Sequence, residues 1–391
     1  MDRFLDSNIA QLQSENIRDV VLAVETLFEH AHTSNHFSAL RKDQFRVRGG
    51  IPLLCNLLKS TSWYVRIYSC SALGELAFGN EENAQAIVET EGALQNLVEL
   101  LSYGHNRMKE DAALVLNNCA AFCERVCPKI VSCEGLLDAL KNSLVSGPRR
   151  VRSVAVGAIN CISRCEAARQ SLIDGGFVDV LYDLQEACDD VNTMQNARAV
   201  LAILNLVGSV DEERLPEGSF NAILDCIVKM FKSSLEGRVW SGIHFAPYSI
   251  LCPLRSLVAS KRAAGLLIDK GILFLLAEYL STWQKDQSPY FHQDRSIVYA
   301  LQAVVELSRN MESQIHVKGS RVVQALMLVC ETGRGEPEGC RREAEQAIDH
   351  FSSFHLALWM SQHPRLGGNS HLSLLDDYLL GMISRRALGV E

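Results

Sequence analysis

A helix end, a glycine and a new amphipathic helix recur along this chain at a nearly fixed interval, and that recurrence limits its fold more than any other feature. The copies read NAQAIVETEGALQNLVELL (83–101), RVCPKIVSCEGLLDALKNSL (125–144), AARQSLIDGGFVDVLYDL (167–184), KRAAGLLIDKGILFLLAEYL (261–280) and ESQIHVKGSRVVQALMLV (312–329). Turn glycines are placed at Gly50, Gly92, Gly135, Gly176, Gly218, Gly271 and Gly319, in four steps of 41 to 43 residues followed by steps of 53 and 48. A period in this range marks helical repeat arrays, in which no unit buries its apolar face alone and stacking neighbours builds the core.

Each glycine sits where the chain must leave one helix through a left-handed turn, a conformation that carries a Cβ penalty for other residues. The helix that follows is apolar on one stripe, as with Leu94, Leu97, Val98 and Leu101. After a polar break such as KSTSW (59–63) comes a longer helix that is apolar over more of its circumference: VRIYSCSALGELAF (65–78), DAALVLNNCAAFC (111–123), VAVGAINCISRC (154–165). A helix of that kind is expected between neighbours.

The series, from GGIPLLCNLLKSTSWYVRIYSCSALGELAFGNEENAQAIVETEG (49–92) through its successors, resembles the armadillo repeat family, most closely over residues 49–210 and more weakly to about 355. The resemblance implies an all-α solenoid: a right-handed superhelix of six or seven three-helix repeats. It also implies a concave groove, lined by the third helices, that holds an extended peptide or a helix of a partner protein. Armadillo proteins place an asparagine near the end of the third helix, where its amide pairs with a bound peptide backbone. The matching positions here are Glu75, Asn118, Cys161, Asn205, Ser256, Glu306 and His350, of which two are asparagine. Asn118 and Asn205 fit either that role or that of buried amides satisfied by a neighbouring helix. The nuclear-import branch adds a tryptophan four residues earlier to hold lysine stems. Those positions are Ser71, Leu114, Gly157, Leu201, Cys252, Gln302 and Gln346, which argues against an import receptor.

The expected organisation is an N-terminal helical cap (1–45), a repeat array (46–362) and a Pro/Gly linker with a C-terminal amphipathic helix (363–391). The array is irregular at about 218–270, where Pro253 falls within a third helix and is expected to bend it. Two loops carry aromatic residues: Trp240 and Phe245 in one within that region, Trp283, Tyr290 and Phe291 in a second at 281–294. They fit either partner hot spots or covers for the extra apolar surface. The C-terminal helix, HLSLLDDYLLGMISRRAL (371–388), has three expected fates: capping the array, filling its groove, or binding in trans.

Other chemistries find little support. A net charge of −8 disfavours a nucleic-acid footprint. No apolar run reaches the length of a membrane span, and the first residues lack the apolar core of a secretion signal. Thirteen cysteines in apolar helical patterns suggest reduced thiols in the cytoplasm or nucleus, and the armadillo resemblance implies, as a further alternative, an adaptor in transport or in ciliary or cytoskeletal complexes. Cys119, Cys123, Cys127 and Cys133, with Cys161 and Cys165 one repeat on, raise zinc or redox chemistry as the alternative, but without the tight C-x₂-C knuckle. Phosphate loops, nucleophile elbows and zincin motifs are missing. The expectation is a scaffold or adaptor without catalysis or cofactor, with a protein partner and no nucleic acid or membrane span.

Overall fold

The computed structural model describes residues 3–32, 39–186, 194–207, 217–240, 244–282 and 293–309, together with 322 and 325. Every regular element among them is helical. The chain divides into two compact units, residues 1–257 and 258–391.

In the first unit, α1 (Arg3–Leu12) and α2 (Ile17–His32) precede four helix triplets. The first triplet is α3 (Ala39–Val47), α4 (Gly50–Leu57) and α5 (Trp63–Ala77); the second is α6 (Glu81–Glu89), α7 (Ala93–Tyr103) and α8 (Asn106–Phe122). The third is α9 (Cys127–Ser132), α10 (Leu136–Ser146) and α11 (Arg149–Arg164); the fourth is α12 (Glu166–Asp174), α13 (Phe177–Glu186) and α14 (Met194–Val207). Two further helices follow, α15 (Glu217–Leu235) and α16 (Pro247–Leu257).

Local chemistry sets the boundaries. Gly92 turns the chain at φ 74° between α6 and α7, and Asn80 starts α6 by accepting from the Asn83 backbone N–H at 2.9 Å. Leu54, Leu73, Leu76, Ile87 and Leu97 are wholly buried, each worth roughly 1.5–3 kcal/mol of apolar transfer. The long helices stand side by side in the order α2, α5, α8, α11, α14, α16, and the closest packing joins α8 to α11 and α5 to α8. Small residues allow that approach: Ala72 and Gly74 on α5, Ala112 and Ala113 on α8, Ala155, Gly157 and Ala158 on α11 are all buried.

Two details differ from the sequence expectation. The first turn uses Gly49, at φ 78°, rather than Gly50. Gly50 already belongs to α4, where a Cβ would come within 2.3 Å of the Phe45 ring. Gly218 is helical, as the second residue of α15, which begins at Glu217 and buries Phe220, Ile223, Leu224 and Ile227 beyond it. Pro253 is buried within α16, which continues past it to Leu257. Gly319 and the C-terminal helix lie outside the described residues.

The second unit repeats the triplet with α17 (Lys261–Asp269), α18 (Ile272–Thr282) and α19 (Gln293–Arg309). Gly271 turns the chain between α17 and α18 at φ 86°, and α18 packs against both of its neighbours.

Candidate functional site

The third helices carry their groove candidates at equivalent heights, because residues four and seven apart return to one helix face. On α5 that face runs Tyr64, Tyr68, Ser71, Glu75; on α8, Arg107, Asp111, Leu114, Asn118; on α11, Arg150, Val154, Gly157, Cys161. The structure spends the inner rungs on joining helix to helix. Asn118, 7% exposed, donates its amide N–H to the Gly74 carbonyl at 2.9 Å and accepts from the Asn117 side chain at 3.0 Å. Asn205, fully buried, donates to the Ser163 hydroxyl at 3.0 Å. The Cys161 thiol lies 3.7 Å from the Asn117 amide oxygen. Ser71 donates to the Asp111 carboxylate at 2.9 Å, and Arg107 meets the same oxygen at 2.9 Å. Burial outweighs both partners and holds the Asp111 carboxyl above its ordinary range.

Helix ends are fastened in the same way. Lys42 of α3 donates to the carbonyls of Glu75 and Phe78 at 2.5 and 2.7 Å, completing the C-terminus of α5; burial lowers its pKa, partly offset by Glu75. Arg169 of α12, 4% exposed, donates to the Ser163 and Arg164 carbonyls and to the Ser256 hydroxyl at 3.0, 3.3 and 3.2 Å. Satisfying the last carbonyls of α11 with a cation suits both their hydrogen-bonding need and the helix dipole. Ser256 is therefore held from inside. Gly157 lies beneath Arg198 and Asn117, each of which would stand 2.8 Å from an added Cβ.

The outer rungs differ. Trp63 and Tyr64 are 48% and 46% exposed, and Arg107 and Arg150, at the positions equivalent to Tyr64 in the succeeding repeats, are exposed as well. Glu75 is half-buried at the other end of the same face. The aromatic surface at Trp63, Tyr64 and Tyr68 escaped the sequence reading, which took the first of these for part of a polar break. Its signal is the i, i+4 tyrosine pair in the opening turns of a third helix.

The remaining candidates are scattered. Trp240 and Phe245 lie ring to ring at 6.3 Å, with the Phe245 carbonyl accepting from Ser234 at 2.7 Å. Glu306 is half-buried on α19, in the second unit. Trp283, Tyr290, Phe291 and His350 lie outside the described residues.

Every cysteine among the described residues is a free thiol, and no group of three or more His, Cys, Asp or Glu side chains among them is placed to hold a metal ion. Cys119 and Cys70 are wholly buried with their thiols pushed well up by desolvation. Cys127 and Cys165 lie close enough to act on one another, which holds the first thiol well up and draws the second down. No described helix is long and apolar enough to cross a membrane.

No family model matches the chain. A stretch of 135 residues, 34% of the chain, is 29% identical to outer dynein arm-docking complex subunit 2 of Bos taurus, and it spans 12% of that protein's length. Among solved structures, an engineered protein aligns over 78% of this chain and 96% of its own, at 20% identity and a TM-score of 0.47. A designed armadillo repeat protein aligns over 76% and 99%, at 21% identity and a TM-score of 0.43. Computationally designed armadillo repeat proteins for modular peptide recognition align over 89% and 99%, at 17% and 0.36. Three-helix units whose long third helices stand in a tightly packed row give this chain the armadillo-type fold.

Proposed function

We propose that the chain is a non-catalytic interaction scaffold whose row of third helices receives a segment of a partner protein. The observation behind this reading is the division of labour across the row. Inner polar groups such as Asn118, Asn205 and Arg169 fasten helix to helix, while Tyr64, Arg107 and Arg150 in successive units remain exposed. Fastened helices hold those outer groups at fixed spacings, which lowers the ordering cost of recognising a complementary segment. Asn118, Cys161, Asn205 and Ser256 act beneath the binding surface in this reading, and Glu75 acts on it.

The test is selection of binders from a random-peptide display library on the full-length chain. Selected peptides are then titrated against Arg150→Glu, on the row, and Lys129→Glu, an equal charge change on exposed α9. Weakening by the first and indifference to the second is expected. The reverse pattern would move binding to another face.

A narrower reading places the scaffold in a dynein-docking assembly of cilia. The partial likeness to the docking-complex subunit motivates it. A tagged full-length chain in multiciliated cells should then lie along the axoneme; a diffuse or nuclear signal would remove this role and leave the scaffold reading intact.

A further inference from the structure

At the N-terminal end of α5, the Trp63 and Tyr64 rings lie 4.0 Å apart, centroid to centroid. Tyr64 continues to Tyr68 at 6.2 Å with ring planes only 16° apart, and Tyr68 meets Phe28 of α2 at 5.8 Å. His105 closes on the far side of Trp63 at 5.9 Å. Two carboxylates of α2 border this surface. Glu25, and Glu29 one turn on, lie near enough for their charges to act on the Tyr68 phenol. Burial first, and then these charges, raise the Tyr68 pKa.

The chemistry selects a cation. Aromatic faces carry negative potential, and two carboxylates add full charges, so a positive group gains from both while an apolar group would strand the carboxylates without water. A planar guanidinium also stacks on rings, which an ammonium does not. The 6.2 Å between Tyr64 and Tyr68 is close to two residues of extended chain, about 6.6 Å. Alternate side chains of one strand would therefore address successive rings.

We propose that Trp63, Tyr64 and Tyr68, with Glu25 and Glu29, form a docking site for an arginine-bearing extended segment of a partner protein. The proposal rests on the scaffold reading and supplies the chemistry of one end of its row.

The test is calorimetric titration of the full-length chain with a blocked Gly/Ser peptide carrying arginines at alternate positions, beside a twin with citrulline in their place. Citrulline keeps the shape and removes the charge, so its peptide should bind about five- to thirty-fold more weakly, the range of a partly desolvated cation–π contact. Tyr64→Ala should weaken the arginine peptide to a similar degree and Tyr64→Phe should retain it, with circular dichroism confirming that both variants fold. Glu25→Gln with Glu29→Gln should lower affinity and flatten its salt dependence, whereas Glu99→Gln on α7 should leave both unchanged.

Equal binding of the two peptides would overturn the proposal. So would failure of the arginine peptide to bind while library-selected peptides still respond to Arg150→Glu; the scaffold reading would then stand without it. Failure of every peptide would remove both. If Arg385→Gln with Arg386→Gln in the full chain tightens the arginine peptide several-fold, the occupant is the chain's own tail, and the partner assignment falls.

Discussion

Asn118 shows how one side chain decides between binding and folding. Its amide nitrogen lies against the Gly74 carbonyl and its oxygen against Asn117, so alanine there leaves a buried carbonyl of α5 without its side-chain donor. Asn118→Ala is expected to cost about 1–3 kcal/mol, seen as a lower denaturant midpoint at unchanged slope, with no loss of peptide affinity in the folded fraction. Unchanged stability with weakened binding would instead return Asn118 to the partner surface. Asp111 makes a second prediction through its charge. Burial holds its carboxyl above the ordinary range despite Arg107 and Ser71, so the folded state retains this proton more tightly than the unfolded one. Stability from this group is therefore greatest at low pH and falls as pH rises through the ordinary carboxylate range to the raised folded value. Asp111→Asn lacks that decline. Denaturant melts between about pH 3 and pH 6 should show the variant gaining on the parent chain as pH rises; a constant difference would mean that Asp111 titrates alike in both states.

At the scale of elements, two glycines with open space around them should respond in opposite directions. Gly92 has nothing within 4 Å of a built Cβ but sits at φ 74°, so Gly92→Ala should destabilise by about 1–2 kcal/mol, the left-handed penalty. Gly265 has equal room inside α17, and Gly265→Ala should stabilise by about 0.5–1 kcal/mol through helix propensity. Matched thermal melts would check both signs, and a destabilising Gly265→Ala would point to packing beyond the Cβ. The same contrast explains how much of the fold was legible. The turn at Gly92 could be read because glycine, an apolar stripe and a helix start lie within one short window. The choice of Gly49 over Gly50 could not, because it depends on where the Phe45 ring packs. Of the candidate site, the rung positions were legible from the repeat, but their use was not. Whether an amide faces a partner or the next helix, as for Asn118, depends on a carbonyl one repeat away. The aromatic surface likewise needs Glu25 of α2 and Tyr68 of α5 brought together from distant parts of the sequence.

For the whole molecule, contacts between sequential triplets make stability a sum of local terms and neighbour interfaces, unlike a core in which every element meets every other. The long helices meet mainly the long helices before and after them, α8 between α5 and α11. A core deletion should therefore spread along the row before it ends cooperative folding. Leu116, fully buried on α8, is the place to ask. Leu116→Ala should cost about 2–5 kcal/mol. Native-state hydrogen exchange should place the loss in α5, α8 and α11, where opening of one third helix strips an interface from the next. Amides of α17 and α18 belong to the separate compact unit and should keep their protection. Equal loss in both units would show that the chain unfolds as one cooperative block. The distinction bears on binding, because a segment lying across several third helices would stabilise the interfaces it spans. A peptide that binds the row should restore protection in α5, α8 and α11 of Leu116→Ala before it alters α17 or α18.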